Sequence, residues 1–498
     1  MVVPYHIIKK IMTLKQDFES RKTWYTNRSS TIFPIDIKDN SDFALVFINY
    51  WKIKNKIKNL RCNIRIFDQE GNILKLHQHN LKIHNEIYIS NFFKVKRFLG
   101  MVEVEFISLD NLRFAFPGIT GFYISPKKLI SGVHSAGRII HSSEGKKYLD
   151  YSLETNFSLK FIEKKVVPFI SLFNSNVEKK LNPIFLELKN NFNKTIKKIS
   201  INDCLKEPYS NKIFYLDDYF KKEYLKKSAY CIVKTNNSDV FPRMICGNYH
   251  KKLHHYEVTH SFPVQQSQRD RIDNKYMHRK DVDHISFLSF VKPKKVNLKL
   301  RVFPTNLSLD LNTKLLIYDK KNKKLKIKKF FSFNPGKKMF EYDVQDNEEF
   351  GCISLKQKNI PARINASFIY SNNNKLGLST DIATGFHSID YPIKQMHWGS
   401  FFSSSKIKTN ILIKRTNHFK CLKKTKGSIT FYGKNIKKRI NIVLLPTDFK
   451  IIRFNEIIKN QNDQINSYSW IAKFKNGSGV EFFCNSYGKD FISGDHAF

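Results

Sequence analysis

Apolar and polar residues alternate with a period of two along most of this chain, and that pattern leaves room for little except sheet. Cys62–Phe67, Met101–Phe106 and Val296–Val302 each send apolar side chains to one face and polar ones to the other. Helical periodicity is weak, and Asp217–Glu223 offers at most a turn or two. The expected fold class is all-β. With 43 Phe and 22 Tyr in 498 residues, apolar material for packed cores is ample.

The alternation is itself repeated. Similar strands open at Phe43–Asn49, Val166–Asn174, His284–Phe290 and Lys408–Asn417, with starts 123, 118 and 124 residues apart. Each block continues with a turn-centred hairpin, as at Phe67–Asn72 and Tyr318–Asn322. A second hairpin is expected around Asp110-Asn111, Asn236-Asn237, Lys358-Asn359 and Asn476-Gly477. Each block closes on a histidine followed by a small residue: His134-Ser135, His260-Ser261, His387-Ser388 and His496-Ala497. Gly121-x-Tyr123 and Gly247-x-Tyr249 both lie 13 residues ahead of that histidine, counted from the glycine.

Self-similarity at this period predicts four tandem small β-sandwich repeats of about 120 residues. Their expected bounds are 43–150, 165–263, 284–396 and 407–498, with linkers near 150–165, 264–283 and 397–407. Residues 1–42 form an N-terminal arm or an additional strand. In strand order and in its Gly-then-turn rhythm, the block resembles other small β-sandwich modules, such as those of the sensory rhodopsin transducer family. That likeness covers no motif and implies no residue role.

The formal charge is +43, but only 16 of the 86 basic residues are Arg. Phosphate and base recognition favours the planar fork of Arg, so the balance speaks against a sequence reader of nucleic acid. The lysine runs at 320–324, 434–439 and 52–58 fall where hairpin tips are expected. Lysine there either protects sheet edges from aggregation or forms a polyanion-binding surface.

Other classes drop out on motifs. No G-x-G-x-x-G or G-x-x-x-x-G-K-[ST] occurs, and no run of about 18 apolar residues predicts a membrane-spanning helix. The seven cysteines are never closer than 15 residues, so C-x-x-C zinc or redox sites are absent. Sparse, odd-numbered cysteine fits a reducing, cytoplasmic setting, and the first 15 residues do not read as a signal peptide.

The recurring histidines His134, His260, His387 and His496 admit three readings: a structural pin for the last strand, a repeated polar ligand site, or a metal site shared between repeats. The densest set is His250, His254, His255, Glu257 and His260. If this segment is extended, His254 and His260 share a face with Tyr256 and Val258, while His255 and Glu257 take the other. His250, His254 and His260 are the candidate ligands for a divalent metal, although the spacing is not that of H-E-x-x-H. His397 and Trp398, expected in a linker, are candidates for stacking against a sugar or base.

Ser135, Ser261 and Ser388 adjoin their histidines, and adjacent strand residues face opposite ways, so no Ser–His pair forms there. The reading that follows is a non-catalytic multi-domain binding or assembly scaffold, its partner an anionic glycan or other polyanion. Several similar modules on one chain raise avidity. The alternatives are a metal-assisted hydrolase centred on His250–His260 and His397, and a nucleic-acid-binding protein.

Overall fold

The computed structural model describes residues 26–93, 97–135, 137–139, 152–174, 183–202, 205–236, 244–263, 284–304, 314–319, 327–332, 339–344, 349–357, 363–371, 380–387, 396–415, 423–446, 448–458, 462–474 and 480–496. The described residues are all-β, 62% strand against 7% helix. Among the described residues no helix is long and apolar enough to cross a membrane. Two compact units emerge, one of Met1–Asn190 with Lys194–Val264, the other of Asn191–Asn193 with Gln265–Phe498.

The first unit begins with β1 (Arg28–Lys38), β2 (Asp42–Ile48), β3 (Arg61–Asp68), β4 (Ile73–His79), β5 (His84–Tyr88), β6 (Arg97–Ile107), β7 (Thr120–Ile124) and β8 (Ile130–His134). It continues with β9 (Ser152–Ser158), β10 (Val166–Phe173), β11 (Ile184–Lys189), β12 (Thr195–Ile201), β13 (Asn211–Tyr215), β14 (Tyr230–Asn236), β15 (Ile245–His250), β16 (His255–His260) and the short β17 (Phe262–Pro263). These strands form four antiparallel sheets. Sheet A has the order β1-β6-β3-β4 and sheet B the order β5-β2-β7-β8. Sheet C is β12-β11-β14-β9-β17 and sheet D is β13-β10-β15-β16.

The second unit repeats the scheme. Its strands are β18 (His284–Val291), β19 (Asn297–Val302), β20 (Lys314–Asp319), β21 (Ile327–Ser332), β22 (Phe340–Val344), β23 (Phe350–Gln357), β24 (Arg363–Ser371) and β25 (Thr380–His387). There follow β26 (Met396–Ser403), β27 (Lys408–Arg415), β28 (Thr425–Tyr432), β29 (Lys437–Leu444), β30 (Phe449–Arg453), β31 (Asn466–Phe474), β32 (Val480–Tyr487) and β33 (Ile492–His496). Sheets E to H run β18-β23-β20-β21, β22-β19-β24-β25, β26-β31-β28-β29 and β30-β27-β32-β33.

Eight small antiparallel sheets are therefore the elements of construction, and the expectation of four separately closed sandwiches is corrected. The physical reason is that sheets use both faces. Between sheets E and F lies a cluster containing Leu298, Ile317 and Phe368, and it also takes in Leu412, Phe483 and Ile492 from sheet H. Sheet A packs Ile32, Phe67 and Met101 against Phe173 of sheet D. Sheet B meets sheet D as well, where Val258 N–H donates to Ser131 Oγ at 2.9 Å. Clusters around Leu186 and Phe214, and around Phe431 and Phe482, fill the spaces between sheets C and D and between G and H. Within each unit the stacked sheet is thus the packing layer, as in other architectures assembled from four-stranded sheets.

Further details depart from expectation. Residues 28–38, assigned to the arm or to an additional strand, form β1, and the supposed linkers at 150–165 and 397–407 hold β9 and β26. The opening strand of the third block slipped by one element. Its counterpart to β2, β10 and β27 is β19, because β18 pairs with β23 as β1 does with β6. The second expected hairpin is a crossover, since β6 and β7 lie in sheets A and B, and β14 and β15 in C and D. The first hairpin is real: β3 pairs with β4. The linker at 264–283 lies outside the described residues.

Alternation survives where one face meets water. β11 shows it cleanly, with Ile184, Leu186 and Leu188 buried and Phe185, Glu187 and Lys189 partly exposed. On β15 one position admits only glycine, Gly247. Its φ is +148°, and a Cβ there would sit 1.9 Å from the Glu257 carbonyl oxygen.

β6 departs from alternation because both its faces are covered. Glu103 and Glu105 point away from the core, yet both are buried. Arg28 reaches Glu103 at 2.6 Å and Glu105 at 2.5 Å, while Arg65 reaches them at 2.8 and 2.6 Å. Burial raises the Glu103 carboxyl above its ordinary value despite the two arginines. Burial pushes Glu105 up too, but Arg28, Arg65 and Asn63 together bring it below. Removing one partner of such a buried pair strands charge in a dry site. Arg65→Met is expected to cost about 3 kcal/mol, read as a lowered urea midpoint for the first unit; a change under about 0.5 kcal/mol would mean that the network is solvated.

Candidate functional site

The four block-closing histidines occupy one structural position. His134, His260, His387 and His496 are the last residues of β8, β16, β25 and β33, each the eighth main strand of its block. In the first unit the strands bring two of them together. β8 and β16 are the edge strands of sheets B and D, tied by the Val258–Ser131 hydrogen bond. His134 and His260 are both buried, with ring centroids 4.7 Å apart at 67°. A ring nitrogen of one lies within 4.8 Å of a ring nitrogen of the other. His260 Nδ1 is 3.1 Å from the Ser261 carbonyl oxygen. In the second unit β33 packs on β25, where a Cβ on Gly494 would meet Ile382 Cδ1 at 2.8 Å. The backbone arrangement is thus repeated, β25 ending at His387 and β33 at His496.

The dense histidine segment is extended over β16, and its faces divide as the period of two requires. Tyr256, Val258 and His260 face sheet B; His255 and Glu257 take the other side with their cross-strand neighbours His250 and Asn248. The ligand set His250, His254 and His260 does not converge. His250 and His260 lie on opposite faces, and His254 sits in the turn at φ +45° with Nδ1 3.1 Å from the Tyr249 hydroxyl. His250 instead bonds Glu257, Nε2 to Oε1 at 2.7 Å, both buried. His255 packs 6.1 Å from the His250 ring, and neither of its nitrogens has a hydrogen-bond partner.

His397 and Trp398 are not in a linker. They lie in β26, each 6% exposed, with the His397 ring 4.7 Å from Phe482. A buried indole offers no open face to a sugar, so Trp398 serves packing. Trp51 is likewise buried, its Nε1 donating to the Leu112 carbonyl at 3.1 Å. Trp470 has no exposed surface. Trp24 lies outside the described residues.

Two features escaped sequence reasoning. One is the Arg28–Arg65–Glu103–Glu105 network. The other joins Asp36 of sheet A to Tyr256 and Tyr215 of sheet D: Tyr256 donates to Asp36 Oδ2 and bonds the Tyr215 hydroxyl. Lys38 Nζ reaches the same carboxylate oxygen at 3.0 Å. Burial, reinforced by the Asp36 carboxylate, holds both tyrosines far above their ordinary range. These phenols stay protonated and act as donors that lock sheets together.

The cations themselves concentrate on sheet edges. The fourth strand of each block, β4, β12, β21 and β29, closes its sheet as an edge. Their sequences carry Lys75, Lys197-Lys198, Lys328-Lys329 and Lys437-Lys438-Arg439. Lys75, Lys197, Lys198, Lys437, Lys438 and Arg439 are exposed. On β4 they are accompanied by apolar side chains open to water: Ile73 at 56%, Leu74 at 48% and Leu76 at 64%. The run at 434–439 is a hairpin tip leading into β29, as expected. Lys52 and Lys54 instead lie on the short helical turn Trp51–Asn55 between β2 and β3, and Lys320–Lys324 lie outside the described residues.

Comparison of the chain with models of known protein families, and with curated proteins, finds no match.

Burial lowers the His255 imidazole to about 3, helped by the neighbouring His250. The unfolded chain therefore takes up a proton near pH 6.5 that the folded chain refuses until about 3. Stability falls as pH drops through that window, by at most about 1.4 kcal/mol per pH unit from this group. His255→Leu is expected to flatten the acid limb of a urea-midpoint profile between pH 6.5 and 4.5. An unchanged slope would place the acid sensitivity elsewhere.

Proposed function

We propose that this protein is a non-catalytic binding or assembly scaffold whose lysine-bearing edge strands take an anionic partner, an acidic glycan or other polyanion. The observation that carries the reading is the fourth strand of each block, a sheet edge bearing lysine every time. Repetition of one basic edge along a single chain supports multivalent capture, in which each added contact is effectively intramolecular. Lysine is a flexible, strongly hydrated point charge, which suits a partner defined by charge density better than one defined by base edges. Architectures of stacked four-stranded sheets commonly serve as binding platforms. The strand order here differs from a consecutive meander, because the chain passes repeatedly between two sheets within each block.

The hydrolase alternative finds no support in its residues, since His250 and His260 face opposite ways and His397 is buried in another sheet. A reducing, cytoplasmic setting draws support from Cys62, Cys231, Cys352 and Cys484, all buried free thiols.

Heparin, polyphosphate and duplex DNA are the probes. The full chain is expected to bind heparin or polyphosphate at about 0.15 M salt, more tightly than DNA, with log affinity falling linearly against log salt. The charge reversal K197E/K198E/K437E/K438E is expected to weaken binding at least about tenfold and to flatten the salt slope. Loss of all retention at about 0.15 M salt, or indifference to the reversal, would remove the reading. Tighter binding to DNA than to either other polyanion would replace it with the nucleic-acid alternative.

A further inference from the structure

We infer that His134 and His260 form a divalent-metal site of the zinc class in the first unit. The inference is independent of the polyanion reading, which uses the opposite, fourth-strand edges of the blocks.

Three observations carry it. First, the two side chains come from equivalent positions of two blocks, the last residues of β8 and β16, so the pairing repeats a single strand-end geometry. Second, the spacing fits a shared ion. With each imidazole nitrogen about 2.0–2.1 Å from the metal, two ring centroids on one tetrahedral ion stand about 5 Å apart, and these stand 4.7 Å apart. A stacked aromatic pair is satisfied by many offsets, but here the nitrogens also approach within 4.8 Å. Third, His260 has the support that ligating histidines use. Donation from Nδ1–H to the Ser261 carbonyl at 3.1 Å selects the tautomer whose lone pair is on Nε2 and holds the ring in place.

Imidazole ligates a metal in its neutral form. Imidazole nitrogen is a borderline donor, which selects zinc, nickel or copper over magnesium or calcium. Two imidazoles supply half of a tetrahedral set, and water or other donors complete it.

His250, His255 and Glu257 make a competing cluster in the same unit. Glu257 is already engaged with His250 at 2.7 Å, and the His250 and His255 rings stand 6.1 Å apart, wider than a shared ion requires. The first pair is therefore preferred.

The test uses the full chain, stripped with chelator, dialysed and titrated with Co²⁺ and then Zn²⁺. A visible d–d absorption from Co²⁺ that Zn²⁺ displaces is expected. Affinity should fall at least about tenfold in His134→Ala and in His260→Ala, and stay unchanged in His254→Ala. Should either alanine variant fail to fold, anomalous scattering at the zinc edge from zinc-soaked crystals of the unmodified chain decides: a peak between the His134 and His260 rings supports the site. Absence of any Co²⁺ spectrum in the unmodified chain would overturn it, as would undiminished affinity in both folded variants or a zinc peak at His255 and Glu257.

Discussion

Each sheet described in this protein is too small to be stable alone, so the structure depends on covering at least one of its faces with another sheet. A four-stranded sheet with strands of five to eleven residues buries little on one side. Each block answers this by distributing its strands over two sheets, which face each other and fill the gap with Phe, Ile and Leu. The remaining faces are then covered by the neighbouring block within the unit. Leu412, Phe483 and Ile492 of sheet H join the cluster between E and F, and Phe173 of sheet D joins Ile32 and Met101 of sheet A. The second coverage makes the block a part of its unit and not an isolated domain.

That double coverage explains where polar chemistry was buried. Residues written for a water-facing side of a strand end up inside when another sheet lands on them. Glu103 and Glu105 are the clearest case, neutralised by Arg28 and Arg65, and Asp36 is met by two tyrosines and Lys38. Such networks are weak sources of stability compared with apolar packing, but they discriminate strongly against misplacement, because a shifted sheet would leave charge unpaired. The Asp36 network joins sheet A to sheet D, whereas the arginine–glutamate network ties β1, β3 and β6 together within sheet A.

Much of this was legible in the sequence, and the limits have physical causes. Period two gave the strands at 62–67, 101–106 and 296–302, and it divided His255 and Glu257 from Tyr256, Val258 and His260 correctly. The block-closing histidines were recognisable because the same residue, followed by a small one, recurs once in each block. Pairing partners were not recognisable, because register and crossover are non-local. The EVEFISLDNLRFAFP segment reads as a hairpin by its turn residues, and only the sheet order shows its two arms in different layers. Glu103 and Glu105 carry no mark in the chain of being covered. His397 and Trp398 were misplaced because polar Ser403-Ser404-Ser405 suggested a linker, although Ser403 and Ser404 are themselves buried beside β27.

The lysine pattern has one remaining consequence. An unpaired edge of seven or eight residues, such as β4 or β29, is a template for unwanted pairing, and β4 even exposes Ile73, Leu74 and Leu76. Lysine on these edges repels a second copy of the same edge, since both would present the same charge. The identical field attracts a chain of opposite sign. Under the proposed reading, protection against self-association and capture of a polyanion would be two results of one charge distribution. A mechanism that needs exposed edges to bind gains from keeping them soluble with the very groups that bind. This also accounts for the placement: the first strands of the blocks, which meet other sheets, carry buried serine, threonine and phenylalanine, as in Ser29 to Phe33, while the fourth strands carry the cations.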